Sequence, residues 1–153
     1  MIPEASNKRI YLNDLAVGDE FRSAKHLLDA DQIIAFASQF DPQPFHLDAE
    51  AARDSFFQGL AASGWHTMAI TMRLLVESVP FAHGIIGVGG EITWPSPTRP
   101  GDLLRVQSKV LDIKPSRSKP DRALVLVHCL TFNQDEKLRQ DFTAKLLALN
   151  RGD

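Results

Sequence analysis

The sequence predicts an α+β fold in which an antiparallel sheet of about five strands wraps around one central helix. Residues 61–79 carry apolar side chains nearly all round a helical projection, which is typical of a buried helix. Residues 85–149 contain four strand-like stretches joined by turns without a helical crossover, which is typical of an antiparallel sheet. We expect a single domain over residues 1–153, with its core at about residues 19–150.

The N-terminal third predicts one strand followed by two helices. Residues 1–18 are polar and poorly patterned, so we assign no element to them. Residues 20–28 suit a strand, and Asp29 with Gln32 three residues later is a helix-start signal. The helix after Asp29 leads directly into a proline-containing loop, and Asp48 is the expected N-cap of a short helix over residues 48–53.

The remaining elements are the central helix and the last four strands. Ser63 is a natural N-cap for the helix, and Pro80 ends it. Turn residues at 99–102 and 133–136 delimit strands. The four predicted strands are Ile85 to Trp94, Leu103 to Ile113, Ala123 to Phe132, and Leu138 to Leu149.

The loop over residues 40–48 places an acid and an imidazole five positions apart. Pro42 and Pro44 stand between Asp41 and His46, and each fixes its own φ and restricts the residue before it. We therefore predict a stiff, non-helical loop that holds the two side chains in a fixed relation. An ionised Asp and a His can together accept a proton from water and deliver one to carbon. This spacing alone matches by chance far more often than it marks a site.

Composition excludes several classes of function. The formal net charge of −2 predicts no attraction to nucleic acid or to an anionic membrane. The one cysteine, Cys129, excludes an intrachain disulfide and a cysteine metal site, and His26, His83 and His128 have no ligand spacing, so we predict no metal. Residues 1–7 lack a signal pattern and no apolar stretch reaches membrane length, so we expect a cytoplasmic protein.

Two segments together resemble the MaoC-like hydratases and dehydratases, of which (R)-specific enoyl-CoA hydratase is the best-known type. The family loop D-x-N-P-x-H corresponds to residues 41–46, and the following small-residue-H-G segment corresponds to residues 62–64. The similarity extends from about Phe21 to Leu149. Gln43 replaces the usual Asn, Ser63 replaces a frequent His, and Phe40 replaces a glycine.

The resemblance implies a hot-dog fold and a hydro-lyase that reversibly adds water across the 2,3 double bond of an enoyl thioester. It implies that Asp41 and His46 are catalytic and that the Gly64 N–H binds the thioester oxygen. It implies no cofactor; the substrate is a coenzyme A or acyl-carrier thioester. Residues expected to contact substrate are Pro42, Phe45, Ser63 and Trp65.

The resemblance also implies a homodimer or a dimer-based assembly. Hot-dog relatives pair two sheets side by side, with their sites between the subunits. Residues 85–94 are rich in glycine and lightly decorated, so this stretch is the candidate surface for the approach of a second copy.

Two other functions stay open. A hot-dog thioesterase usually needs a carboxylate on or near the central helix, and residues 61–76 contain no Asp or Glu. A non-catalytic subunit that binds acyl thioesters is the second alternative, which the presence of both Asp41 and His46 argues against.

Other residues near these motifs have structural interpretations. We expect His66 to be a core or rim histidine with its hydrogen bonds satisfied. We expect Trp65, Phe56 and Phe57 to belong to the core, with an acyl tunnel as the alternative. The basic segment 114–122 predicts a solvated hairpin tip, with contact to coenzyme A phosphates as the alternative.

Overall fold

The structure, a computed structural model, describes residues 8–152. The prediction that residues 1–7 carry no signal pattern falls outside this range. The strands are β1 (Glu20–Leu27), β2 (Ile86–Thr93), β3 (Leu103–Pro115), β4 (Arg122–Phe132) and β5 (Leu138–Leu149). The helices are α1 (Ala30–Phe40), α2 (Pro44–Leu47), α3 (Ala49–Arg53) and α4 (Gly64–Ser78).

All five strands form one antiparallel sheet in the order β1-β3-β4-β5-β2. The β3, β4 and β5 strands are joined by hairpins. Within residues 8–152 β2 pairs only with β5, so the described chain leaves one side of β2 as an open sheet edge. Alternation along β4 places Val125, Val127 and Cys129 in the core. The predicted α+β architecture is confirmed.

Local capping signals explain where the helices begin. Asp29 accepts the Gln32 N–H at 2.9 Å at the start of α1, as the sequence predicts. Asp48 caps α3 by accepting the Glu50 N–H at 2.9 Å. The predicted turn before β3 is confirmed by a 3.1 Å bond from the Asp102 N–H to the Arg99 carbonyl and by a φ of +90° at Gly101.

The central helix α4 packs on the sheet with one face only. Ile70, Leu74 and Leu75 on this face are at most 6% exposed and belong to the same core as the inward side chains of the sheet. On the other face Trp65 is 60% exposed and Val76 is 56% exposed. The expectation that α4 is buried all round is therefore wrong for the single chain, because one five-stranded sheet covers only one side of a helix.

The loop between α1 and α3 is partly helical, which corrects the prediction of a non-helical loop. Gln43 is extended, with φ −102° and ψ 145°, as expected for a residue before proline. Pro44 then occupies the first position of the single helical turn α2, where its fixed φ is favourable and its missing N–H costs nothing. The turn places His46 on the inner side of the loop.

The segment before β1 is more ordered than its polar sequence predicts. Ile10 forms a parallel bridge with Phe81, donating to the Pro80 carbonyl and accepting from Ala82, each at 2.8 Å. Ile10, Leu12 and Leu15 pack against the core. These backbone hydrogen bonds and the packing of three apolar side chains hold the segment against the core.

Candidate active site

Asp41 lies directly after α1, where its N–H donates to the Ala37 carbonyl at 2.9 Å. Its side chain is 17% exposed, and its Oδ1 accepts from Gln43 Nε2 at 2.5 Å. Burial raises the pKa of this carboxyl, but the Gln43 amide, the Ser63 hydroxyl and nearby His46 together lower the pKa below its ordinary value. Asp41 is therefore ionised at neutral pH.

His46 is 4% exposed and is oriented by a backbone carbonyl. Its Nδ1 lies 2.6 Å from the Ala61 oxygen, and because a carbonyl can only accept, Nδ1 carries the hydrogen. The other ring nitrogen, Nε2, lies 3.3 Å from Asp41 Oδ2. When His46 is neutral, its Nε2 carries a lone pair beside the Asp41 carboxylate, so a molecule in the cleft that donates hydrogen bonds can contact both groups.

The segment that orients His46 is held by hydrogen bonds from distant parts of the chain. The Ala61 N–H donates to the Phe45 carbonyl at 3.1 Å, and the Ala62 N–H donates to the Thr98 carbonyl at 2.9 Å. The Arg99 guanidinium donates to the carbonyls of Gly59 at 2.9 Å, Leu60 at 3.2 Å and Phe57. Sequence reasoning gave Arg99 no role beyond its turn, because these contacts join residues about 40 positions apart.

The start of α4 supplies a free backbone donor beside this pair. Ser63 is fully buried and caps the helix by accepting the Trp65 N–H at 3.3 Å. The Gly64 N–H has no acceptor within residues 8–152, as expected in the first turn of a helix. A Cβ on Gly64 would lie 2.6 Å from the Trp94 ring, so only glycine lets the indole pack on the helix start.

These groups open onto a cleft of about 500 Å³. Aromatic side chains and the segment 95–98 form much of its wall. The Trp94 ring is fixed because its Nε1 donates to Gln140 Oε1 at 3.0 Å, and it meets Trp65 edge to face at 5.4 Å. The lining residues are Asp41, His46, Phe56, Phe57, Ala62, Gly64, Trp65, Thr67, Trp94 and residues 95–98.

Four of the predicted site residues line the cleft and three do not. Asp41, His46, Gly64 and Trp65 line it. Pro42 is exposed outside the cleft, Phe45 is half-buried with its ring against that of His46 at 4.5 Å, and Ser63 is buried under the helix start.

Phe56 and Phe57 belong to the cleft and not to the core, and so does Trp65, which is 60% exposed at the start of α4. Phe56 is 94% exposed, and Phe57 packs on Phe45 at 5.0 Å and on Phe56 at 5.5 Å. The expectation of core burial is wrong because the turn after α3 directs both rings toward the cleft, and the sequence does not distinguish a cleft phenylalanine from a core one.

His66 is buried, but its hydrogen bonds are not all satisfied, which corrects that part of the prediction. The ring is 8% exposed and stacks on Phe36 at 4.5 Å, and its Nδ1 has no partner within residues 8–152. Burial, and secondly the charge of His26, lowers the pKa of His66 to about 4. His66 is therefore neutral at pH 7 and lies outside the cleft lining.

The basic segment 114–122 lies away from the cleft. The segment 114–122 forms the exposed β3–β4 hairpin tip, where Arg122 pairs with Leu149, and the cleft lies at the other end of the sheet.

Within residues 8–152 no three His, Cys, Asp or Glu side chains cluster as a metal site would need. In the same range no helix is long and apolar enough to cross a membrane.

The family of this chain follows from comparison with known proteins. A family model described as MaoC like domain matches residues 14–128. The chain belongs to the MaoC-like domain family. The Asp41–His46 loop and the Gly64 helix start both fall inside the matched range, so the predicted family is confirmed.

Individual relatives agree with this assignment. The chain is 35% identical over 128 residues to YdeM of Bacillus subtilis (strain 168), covering 82% of this chain and 89% of that one. A crystal structure of a MaoC-like dehydratase from Rhodospirillum rubrum is 59% identical with a TM-score of 0.93, covering 94% and 99% of the two chains. An unliganded (R)-hydratase from Pseudomonas aeruginosa is 26% identical with a TM-score of 0.75, covering 94% and 88%. These similarities confirm the hot-dog fold.

Proposed function

We propose that this MaoC-like protein is a hydro-lyase that reversibly adds water across the 2,3 double bond of an enoyl thioester. The observation that carries the proposal is the pair of His46 Nε2 and Asp41 Oδ2, 3.3 Å apart on a cleft that also contains the free Gly64 N–H. Hydration of an enoyl thioester needs these two functions, an acid–base pair and a donor for the thioester oxygen.

In the neutral form of His46, Nε2 and Asp41 Oδ2 are both acceptors, and this pair suits a bound water. A water donates one hydrogen to each acceptor, which leaves an oxygen lone pair for the β-carbon of the substrate. As the new C–O bond forms, one O–H bond breaks and its proton passes to the pair, and a proton is delivered to the α-carbon. The two residues act as a unit, so the first proton is assigned to the pair and not to Asp41 or His46 alone.

The Gly64 N–H completes the chemistry. Addition at the β-carbon places negative charge on the thioester oxygen, and a free N–H at the positive end of α4 stabilises that charge. The carbonyl would bind here while the double bond faces Asp41 and His46.

The assay that tests the proposal follows the enoyl-thioester absorbance of but-2-enoyl coenzyme A and, in parallel, the release of free thiol. Loss of absorbance without thiol release is the expected result. Thiol release would instead favour the thioesterase, although α4 carries its one acidic side chain, Glu77, in its last turn, away from the cleft. Binding without either reaction would favour a non-catalytic subunit.

We also propose that the protein acts as a two-fold symmetric homodimer. Among the described residues nothing pairs with the outer side of β2, and nearly every β2 residue is exposed, including Val88 at 57%. The exposed apolar face of α4, with Trp65 and Val76, has no cover within the described chain. Open sheet edges and apolar faces are normally covered in proteins, and a second copy would cover both beside the cleft.

A further inference from the structure

The floor of the cleft carries an unused hydrogen-bond donor. Thr67 and Thr98 line the cleft and are only 1% and 3% exposed. Thr67 Oγ1 donates to Thr98 Oγ1 at 2.9 Å, so the Thr98 hydroxyl accepts in this pair. Its own hydrogen has no acceptor within the part of the chain that the structure describes. Since a buried donor left unpaired costs about 1–3 kcal/mol, the Thr98 O–H favours an occupant that can accept it.

Behind this floor the space between α4 and the sheet is closed. Thr71 lies one helical turn after Thr67, and Thr71, Thr131 and Gln140 are fully buried. Thr71 bonds to Thr131 at 2.7 Å, and Gln140 Nε2 donates to Thr71 at 3.1 Å. An alkyl chain that continued past Thr67 would have to break these buried hydrogen bonds, each at a cost of about 1–3 kcal/mol.

The orientation of a thioester in the cleft follows from size and charge. The carrier, coenzyme A or a protein, is large and charged and must stay at the open mouth, where Phe56 is 94% exposed. The acyl end therefore points to the floor. The lining residues include no Lys or Arg, and Asp41 is an anion, so an acyl carboxylate is disfavoured there.

We propose, building on the hydratase function above, that this cleft takes short enoyl groups whose acyl end carries an uncharged hydrogen-bond acceptor, bound by the Thr98 O–H. The buried network of Thr71, Thr131 and Gln140 sets the limit on chain length. Thr98 is in this account a specificity-determining residue, and the acceptor is an ether, hydroxyl or carbonyl oxygen.

The test compares two substrates of the same shape. The acyl groups of 4-methoxybut-2-enoyl and hex-2-enoyl coenzyme A differ by one oxygen in place of one methylene. The wild type should prefer the methoxy substrate in kcat/KM by about 2- to 10-fold, the worth of one hydrogen bond. Thr98→Val should bring this ratio to 1 or below, and Thr98→Ser should keep it. Dec-2-enoyl coenzyme A should react at least about 30-fold less efficiently than the but-2-enoyl thioester.

Each other outcome overturns the inference. Equal kcat/KM for the two matched substrates in the wild type would refute the hydrogen bond from Thr98 to the substrate. An unchanged preference in Thr98→Val would refute it as well. Efficient hydration of the decenoyl thioester would refute the proposed limit on acyl chain length. In both cases turnover of but-2-enoyl coenzyme A leaves the hydratase function standing, whereas failure to hydrate any of these thioesters refutes that function and the inference with it.

Discussion

Removal of the Gly64 N–H is the sharpest test of how the thioester oxygen is bound. Gly64→Pro deletes this donor at the first position of α4, where proline is tolerated. Ser63 has φ −55° and ψ 139°, which is the region that a residue before proline adopts, so the helix can begin unchanged. We expect the variant to fold and to lose turnover.

The loss of rate in Gly64→Pro needs a matched control, because any side chain at position 64 meets Trp94. A Cβ on Gly64 would lie 2.6, 2.7 and 2.9 Å from three carbons of the indole. Gly64→Ala adds this carbon but keeps the N–H, so comparison of the two variants removes the Cβ clash with Trp94 from the measured loss. Gly64→Pro should be slower than Gly64→Ala by about 10²–10³-fold, or about 2.7–4 kcal/mol of transition-state stabilisation.

The assay measures kcat and kcat/KM for but-2-enoyl coenzyme A on both variants, with circular dichroism and thermal unfolding to verify the fold. Repeating the pair in a Trp94→Ala background relieves the steric clash. In that background Gly64→Ala should lower kcat/KM only slightly, while Gly64→Pro should still lower it strongly. A folded Gly64→Pro variant as fast as Gly64→Ala would refute the assignment of this N–H.

Three further predictions concern the pair, the buried histidine and the assembly. His46→Gln should lower kcat about 10²–10⁴-fold with little change in thermal unfolding, and a folded variant at full rate would reject the acid–base role. The pKa of His66 is lowered to about 4 by burial and by His26, so between pH 6.5 and 4 the unfolded chain binds the extra proton. The free energy of unfolding should therefore decrease as the pH is lowered through this window, by up to about 1.4 kcal/mol per pH unit more than in His66→Leu. The same pH dependence of urea unfolding in both proteins would contradict this prediction. Sedimentation over a dilution series should show dimer and activity disappearing together, and a fully active monomer would contradict the proposed dimer.

The elements that the sequence predicted are those specified by short-range signals. Alternation over residues 103–113 and 123–132 is local, and so are the caps Asp29, Asp48 and Ser63, which depend on neighbours two or three positions away. Tertiary contact does not override such signals here. The helical turn at Pro44–Leu47 was missed because proline both breaks helices and begins them.

The parts of the site that the sequence did not predict depend on distant contacts. The Trp94 indole in the wall of the cleft is held by Gln140, 46 positions later in the chain. Arg99 binds carbonyls of the turn before α4, and Thr98 meets Thr67 across 31 positions. None of these residues belongs to a motif with its partner, so no periodicity or spacing could have paired them.

The most direct measurement of the central claim is hydration of but-2-enoyl coenzyme A by the wild type and by Asp41→Asn. Asp41→Asn keeps the shape of the side chain but removes the charge that, with His46 Nε2 at 3.3 Å, would hold the water. The account predicts steady loss of enoyl absorbance with wild type, no release of thiol, and a rate about 10²–10⁴-fold lower in the folded variant. Near wild-type hydration by folded Asp41→Asn, or no hydration by the wild type, would contradict it.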